Sequence, residues 1–68
     1  MTRTAIEYTY RGAGGRSSLF DQGPFYFADD GRDPMVQAQE RCDRYGDKAV
    51  RAERIDVSSW KSLDLISM

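Results

Sequence analysis

Residues 33–46 read DPMVQAQERCDRYG, and this stretch decides the fold because it carries the signals of one complete helix. Asp33 is a good N-cap, and Pro34 suits the first helical position, where a missing N–H costs nothing. Gly46 stands where a C′ glycine ends a helix. The sequence therefore predicts a helix over residues 34–45. Its predicted apolar stripe comprises Met35, Ala38, Cys42 and Tyr45.

Two strands are predicted before this helix. Residues 4–10 alternate apolar and polar side chains, the period-2 pattern of a half-buried strand. Residues 11–18 hold three glycines and two serines and predict a loop. The segment 19–28 contains the second strand, centred on Phe25, Tyr26 and Phe27, and Gly23-Pro24 marks a turn or an edge irregularity because proline cannot donate to a ladder.

A third strand is predicted over residues 48–57, after the helix. Its alternation is imperfect, since Val50 and Ala52 point one way while Ile55 and Val57 point the other, and this predicts a bulge or a change of neighbour midway. The tail from Ser58 fits a helical turn or a short strand. We favour a fourth strand, because a hairpin would bury Trp60 and the leucines against the helix.

These elements predict one α+β domain over residues 1–68, with the order β-β-α-β and an expected fourth strand. An antiparallel sheet of three to four strands with one helix packed on it is the natural two-layer solution. A chain of 68 residues has a marginal core.

The composition argues against catalysis. The chain has no histidine and a single cysteine, Cys42, so an internal disulfide, a histidine-based metal site and a Ser-His-Asp triad are all excluded. Cys42 lies on the apolar stripe of the helix, where a lone cysteine is usually a small hydrophobe. We therefore expect a non-enzymatic binding protein with no cofactor and no metal.

The same features favour a reducing, cytoplasmic setting. Small secreted domains usually carry several disulfides. No apolar leader follows Met1, and no apolar run approaches the length that spans a bilayer, so no membrane association is expected.

Negative charge is concentrated in the middle of the chain. The net charge is −1, but residues 21–33 hold four aspartates against one arginine. Tyr26 opposes Phe25 and Phe27 by strand alternation, so one face of this strand shows aromatic surface unless the tail covers it. The predicted partner-binding residues are Asp21, Asp29, Asp30, Asp33, Glu40, Asp43, Asp47 and Tyr26.

Two ligand sites are disfavoured by spacing. The loop at residues 12–18 has arginine where a phosphate-binding loop needs lysine, and its glycine spacing is wrong. Asp29, Asp30 and Asp33 do not match a calcium loop, and turn and cap chemistry explains them.

Two alternatives to the acidic surface stay open. The first is a nucleic-acid module that stacks bases on the sheet. Its residues would be Arg3, Arg11, Arg16, Arg51 and Arg54 with Tyr8, Tyr10 and Tyr26. The second is an assembly protein that associates through the aromatic strand. The net charge of −1 weighs against nucleic acid.

The chain resembles, in type, the very small inhibitors that phages and other mobile elements encode against host defences, of which the anti-CRISPR proteins are the best-known group. The resemblance rests on an autonomous α+β domain of 68 residues, the lack of a catalytic constellation and the aspartate-rich segment from Asp21 to Asp33. It implies stoichiometric inhibition of a CRISPR surveillance complex in the host cytoplasm. Carboxylates would then occupy a basic groove where DNA phosphates lie. The expected partner is therefore a protein, and direct nucleic-acid binding is the less favoured expectation.

Overall fold

A computed structural model describes residues 3–60 of the chain, apart from the side chain of Ser17. Its elements, in chain order, are β1 (Thr4–Arg11), a 3-10 turn (Gly15–Ser18), β2 (Gln22–Ala28), α1 (Pro34–Asp43) and β3 (Lys48–Asp56). The strands form an antiparallel sheet in the order β2-β1-β3, and α1 packs on one face, mainly against β3. The predicted α+β class and the β-β-α-β order are confirmed. The fourth strand was expected in the tail from Ser58 to Met68, of which residues 61–68 lie outside the described residues.

The core lies between α1 and the central strand β1. Ile6 is fully buried there and pairs with Phe27 of β2. The remaining members of this cluster are Ala38, Cys42 and Ala49. Only the middle of the predicted helical stripe is buried, because Met35 and Tyr45 at its two ends are 38% and 76% exposed. No helix in residues 3–60 is long and apolar enough to cross a membrane.

The predicted capping residues at the two ends of the helix, Asp33 and Gly46, are confirmed by hydrogen bonds and backbone geometry. The Asp33 carboxylate accepts from the backbone N–H groups of Met35 and Val36, at 3.1 and 3.2 Å. At the other end, the Asp47 N–H donates to the Cys42 carbonyl and Gly46 adopts a positive φ of 73°, which is a Schellman motif. The α-helix ends at Asp43, two residues before the predicted boundary, because the last turn closes this motif.

Asp33 provides the first prediction. Replacing Asp33 by alanine removes the acceptor for two backbone N–H groups and is expected to lower the free energy of unfolding by about 1 kcal/mol. An asparagine side chain retains a capping oxygen, so the Asp33→Asn variant should unfold close to the wild-type midpoint in urea. Equal midpoints for the alanine variant and the wild type would contradict a cap at this position.

The edge strands each carry an irregularity. In β2, Gly23-Pro24 lies at the sheet edge opposite a register shift in β1, as the sequence predicted for an edge irregularity. In β3, Thr9 pairs with Arg51 while Tyr10 pairs with Ala49, so Val50 is the extra residue of a bulge. The predicted bulge therefore exists, but near the start of the strand, because β3 must turn Ala49 toward the core.

Trp60 packs on the face of the sheet that is opposite to the helix. Its ring meets the ring of Tyr26 edge-on, with centroids 5.2 Å apart. Tyr26 alternates with Phe27, which belongs to the core under α1. The expectation that Trp60 would be buried against the helix is therefore wrong, because the chain leaves β3 toward the other face.

Candidate functional site

Four of the predicted carboxylates gather around the start of α1, and we call them the acidic end: Asp29, Asp30, Asp33 and Glu40. Arg32 lies between two of them, with its Nη2 at 2.7 Å from both an Asp30 and a Glu40 carboxylate oxygen. Its hydrogen bonds lower the pKa of both carboxyl groups. The Asp30 and Glu40 side chains remain 48% and 54% exposed, so the acidic end presents fixed, ionised carboxylates to solvent.

Asp29 is the structural member of the acidic end. Its side chain is only 4% exposed and is bonded by the Arg54 guanidinium, which lowers the Asp29 pKa well below its usual range. Three further groups donate to the same carboxylate: Thr4 Oγ1 at 2.8 Å, Gln37 Nε2 at 2.9 Å and the Gly31 N–H at 2.8 Å. These bonds fix the chain between β2 and α1.

The other predicted carboxylates lie at the opposite end of the sheet. Asp21 accepts from Arg11 Nε at 2.6 Å, and Asp43 accepts from Gln39 Nε2 at 2.8 Å. β1 runs from Thr4 at one end to Arg11 at the other, a length of about 23 Å for a strand of this size. With Asp47 beside Gly46, the seven carboxylates therefore divide into two groups and do not form one continuous edge.

Tyr26 is held on the sheet face opposite α1. Its hydroxyl donates to Glu7 at 3.0 Å, and this bond raises the Tyr26 pKa. The apolar side chains that are exposed near β2 belong to residues other than Tyr26. Leu19, Phe20 and Phe25 are 67%, 66% and 45% exposed.

The residues of the predicted nucleic-acid module are not brought together. Tyr8 and Tyr10 lie on the helix side of the sheet, while Tyr26 lies on the other. Four of its five arginines are engaged elsewhere within residues 3–60: Arg3 with Ser58 and Trp60, Arg11 with Asp21, Arg51 with Glu53 and Arg54 with Asp29. The constellation as predicted is therefore absent from the described part of the chain.

A different set of cationic and aromatic residues does converge. Tyr8, Arg41, Arg44 and Tyr45 line a cleft of about 290 Å³ beside the last turn of α1, which we call the arginine–tyrosine cleft. The Arg41 guanidinium lies 4.8 Å from the centre of the Phe27 ring. Burial raises the pKa of Tyr8, and Arg41 partly offsets this effect.

Sequence reasoning did not select this cleft. The sequence pattern assigned Tyr45 to the apolar stripe, and Arg41 and Arg44 lie outside that stripe. Their spacing was the available signal, since residues three apart lie on one helix face. The exposure of Tyr45 could not be read from the pattern.

Three simpler expectations can be compared with the described residues. Cys42 is buried at 3% exposure, and burial raises the pKa of its thiol, which agrees with a core residue. The glycine loop leads into a short 3-10 turn at Gly15–Ser18. Within residues 3–60 no group of three or more metal-ligating side chains converges.

No family model, no curated protein and no solved structure matches this chain.

Proposed function

We propose that this chain is a non-enzymatic binding protein of the cytoplasm that inhibits a host nucleoprotein complex stoichiometrically, by placing its acidic end in a basic, DNA-binding groove. The observation that carries the proposal is the display of Asp30 and Glu40, which are half exposed and held at fixed positions by Arg32. A surface whose carboxylates are already ordered loses little side-chain entropy on binding.

The ion pairs of the acidic end are compatible with this role. Exposed pairs contribute little to stability, so lysines and arginines of a groove can compete with Arg32 for the same oxygens. Within residues 3–60, the carboxylates of the acidic end form ion pairs with two arginines, Arg32 and Arg54, while Arg41 and Arg44 line a cavity beside Asp30 and Glu40 without pairing with them. Ordered, exposed carboxylates attract the cations of a basic groove and speed association.

The resemblance in type to anti-CRISPR inhibitors names the complex to test first, a purified CRISPR surveillance complex. The proposal requires no cofactor and no turnover. It agrees with the absence of histidine from the chain and with the burial of Cys42.

The acidic end provides the second prediction. The double variant Asp30→Lys with Glu40→Lys should slow association with the surveillance complex about tenfold or more and remove much of its salt dependence. The measurement is surface-immobilised binding kinetics at several ionic strengths, together with displacement of labelled target DNA by an equimolar amount of the chain.

A control of equal charge change separates the acidic end from net charge. The double variant Asp43→Lys with Asp47→Lys alters the opposite end of the molecule and should displace DNA as the wild type does. If both double variants lose displacement equally, total charge is what matters and the acidic end is not the contact. If the wild type itself displaces no DNA from any complex tested, the inhibitor proposal fails.

The exposed apolar residues support a second candidate, an assembly role through the β1–β2 loop. Leu19 and Phe20 are both about two-thirds exposed, at 67% and 66%. Exposed apolar clusters of this kind mark protein interfaces. Under this candidate, Phe20→Ser abolishes association with the partner, while the lysine variants of the acidic end leave it unchanged.

A further inference from the structure

The arginine–tyrosine cleft contains the exposed ring of Tyr45 next to the guanidinium of Arg44, which forms no ion pair within residues 3–60. Tyr45 is 76% exposed although it stands in a fixed turn, where its own N–H donates to the Cys42 carbonyl at 3.0 Å. The guanidinium of Arg44, next to it, has no ion pair or hydrogen bond with any residue between 3 and 60. An aromatic side chain in an ordered turn beside a free guanidinium is therefore available to a ligand.

The floor of the cleft is also aromatic. Tyr8 lines it, and the ring of Phe27 packs edge-on against Tyr8, with centroids 5.3 Å apart. The Arg41 guanidinium lies over the Phe27 ring, with its centre 4.8 Å from the ring centroid, and places a positive charge at the side of the cleft. The four lining residues include two cations and no carboxylate.

A further cation stands at the same end of the molecule. The β1–β2 loop passes beside the helix end, since a Cβ at Gly46 would be 4.0 Å from the Cβ of Ala13. Arg16 is exposed on this loop and has no ion pair within the described residues. The loop that carries Arg16 thus passes beside the end of α1, where Asp47 lines a neighbouring cavity with Tyr8 and Tyr45.

We propose that the arginine–tyrosine cleft binds single-stranded nucleic acid, with a base stacked on Tyr45 and adjacent phosphates paired with Arg44 and Arg41. Stacking platforms next to arginines are how single strands are bound without sequence preference. A duplex keeps its bases stacked internally and cannot offer one to Tyr45. This cleft has no carboxylate of the acidic end among its lining residues, and its assignment does not depend on the inhibitor proposal.

The two sites are compatible with one another. The acidic end and the cleft adjoin along α1, because Arg41 and Arg44 line a neighbouring cavity together with Asp30, Arg32 and Glu40. A nucleoprotein complex offers both a basic protein groove and nucleic acid, so one molecule of this chain could contact both.

The test uses the isolated chain and fluorescein-labelled oligonucleotides of about 12 nucleotides, one of DNA and one of RNA, within the site sizes of ~4–16 nucleotides known for such surfaces. Fluorescence polarisation at ~50 mM salt should show binding to single strands and much weaker binding to the matching duplex, with affinity falling as salt rises. Comparing the two oligonucleotides tells which sugar is preferred; either preference supports the site.

The variants separate stacking from charge. Tyr45→Ala should weaken single-strand binding roughly tenfold or more, whereas Tyr45→Phe keeps the ring and should bind like the wild type. Arg44→Ala should lower the slope of log affinity against log salt by about 0.7, the loss of one phosphate contact to a single strand. Arg51→Ala is the matched control, because Arg51 is paired with Glu53 at 3.1 Å on the sheet and is not a lining residue of the cleft.

Three results would overturn the proposal. They are the absence of salt-dependent binding by the wild type, equal binding by Tyr45→Ala and the wild type, and equal binding of a polyglutamate peptide, which has charge but no bases. None of these measurements contains a surveillance complex, so they leave the inhibitor proposal to its own test.

Discussion

Replacing Asp29 by alanine is expected to lower the free energy of unfolding by about 2–3 kcal/mol, because it strips a buried carboxylate from several donors at once. Arg54 and Gln37 would each keep only the Arg32 carbonyl as an acceptor, and Thr4 would lose the partner of its hydroxyl. A domain of this size has a total margin of only ~3–5 kcal/mol. The variant should therefore keep only a small part of the wild-type stability and unfold at a clearly lower urea concentration and temperature, as measured by circular dichroism.

Asp30→Ala is the matched control for this loss. The two aspartates are neighbours, but the Asp30 side chain is 48% exposed whereas that of Asp29 is 4% exposed. An exposed pair with Arg32 contributes little, so the Asp30 variant should keep most of the wild-type stability. Equal losses for the two variants would show that burial does not distinguish them.

The Asp29 carboxylate also gives stability a defined dependence on pH. Its bond with Arg54 depresses the folded-state pKa far below the ~3.9 of an unfolded aspartate. A group with a depressed folded pKa contributes fully above the unfolded value and loses its contribution as pH falls toward the folded value. The difference in unfolding free energy between the wild type and Asp29→Asn should therefore be constant near neutral pH and shrink below about pH 4.

Replacing Gly23 by alanine is the other change with a large expected effect. Gly23 has a φ of 119°, and a Cβ there would stand 3.0 Å from the Tyr8 carbonyl oxygen and 3.2 Å from the Phe25 ring. The backbone conformation alone costs an alanine about 1–3 kcal/mol, and the contact with β1 adds to it. We expect a loss of about 3 kcal/mol or more in the free energy of unfolding, measured by urea denaturation.

Gly31→Ala isolates the backbone part of that loss. Gly31 also has a positive φ, 93°, but a Cβ there meets nothing within 4 Å. Its alanine variant should lose about 1–2 kcal/mol, clearly less than the Gly23 variant. If the two variants unfold at the same midpoint, the approach of Gly23 to Tyr8 is not a constraint.

Local signals were sufficient for most of the fold. The Asp33-Pro34 start and the Gly46 stop specify the helix through backbone hydrogen bonds that depend on neighbouring residues only. Alternation in residues 4–10 likewise reflects the burial of one strand face. The place of Trp60 was wrong because it depends on which face the chain takes after β3, and no local pattern encodes that choice.

The candidate site was less predictable because it depends on pairing between distant residues. Aspartates at 21–33 were interpreted from their proximity in sequence, yet Asp21 pairs with Arg11 at one end of β1 while Asp29 pairs with Arg54 at the other. The Asp29 carboxylate is buried and stabilises the fold, although the position of Asp29 in a turn suggested an exposed side chain. The exposure of Tyr45 depends on how far α1 extends past its packing surface, which follows from tertiary structure alone.

The contacts of Arg3 bear on how the chain can be handled in experiments. Its backbone N–H donates to Ser58 Oγ at 3.1 Å, and its guanidinium donates to the Ser58 and Trp60 carbonyls at 3.2 and 2.8 Å. Residues 3 and 58–60 therefore lie together at one corner, next to Thr4 and its bond with Asp29. A fluorescent label on a side chain of this corner would stand close to the acidic end, so labels for inhibition assays belong in the β1–β2 loop, at the other end of β1.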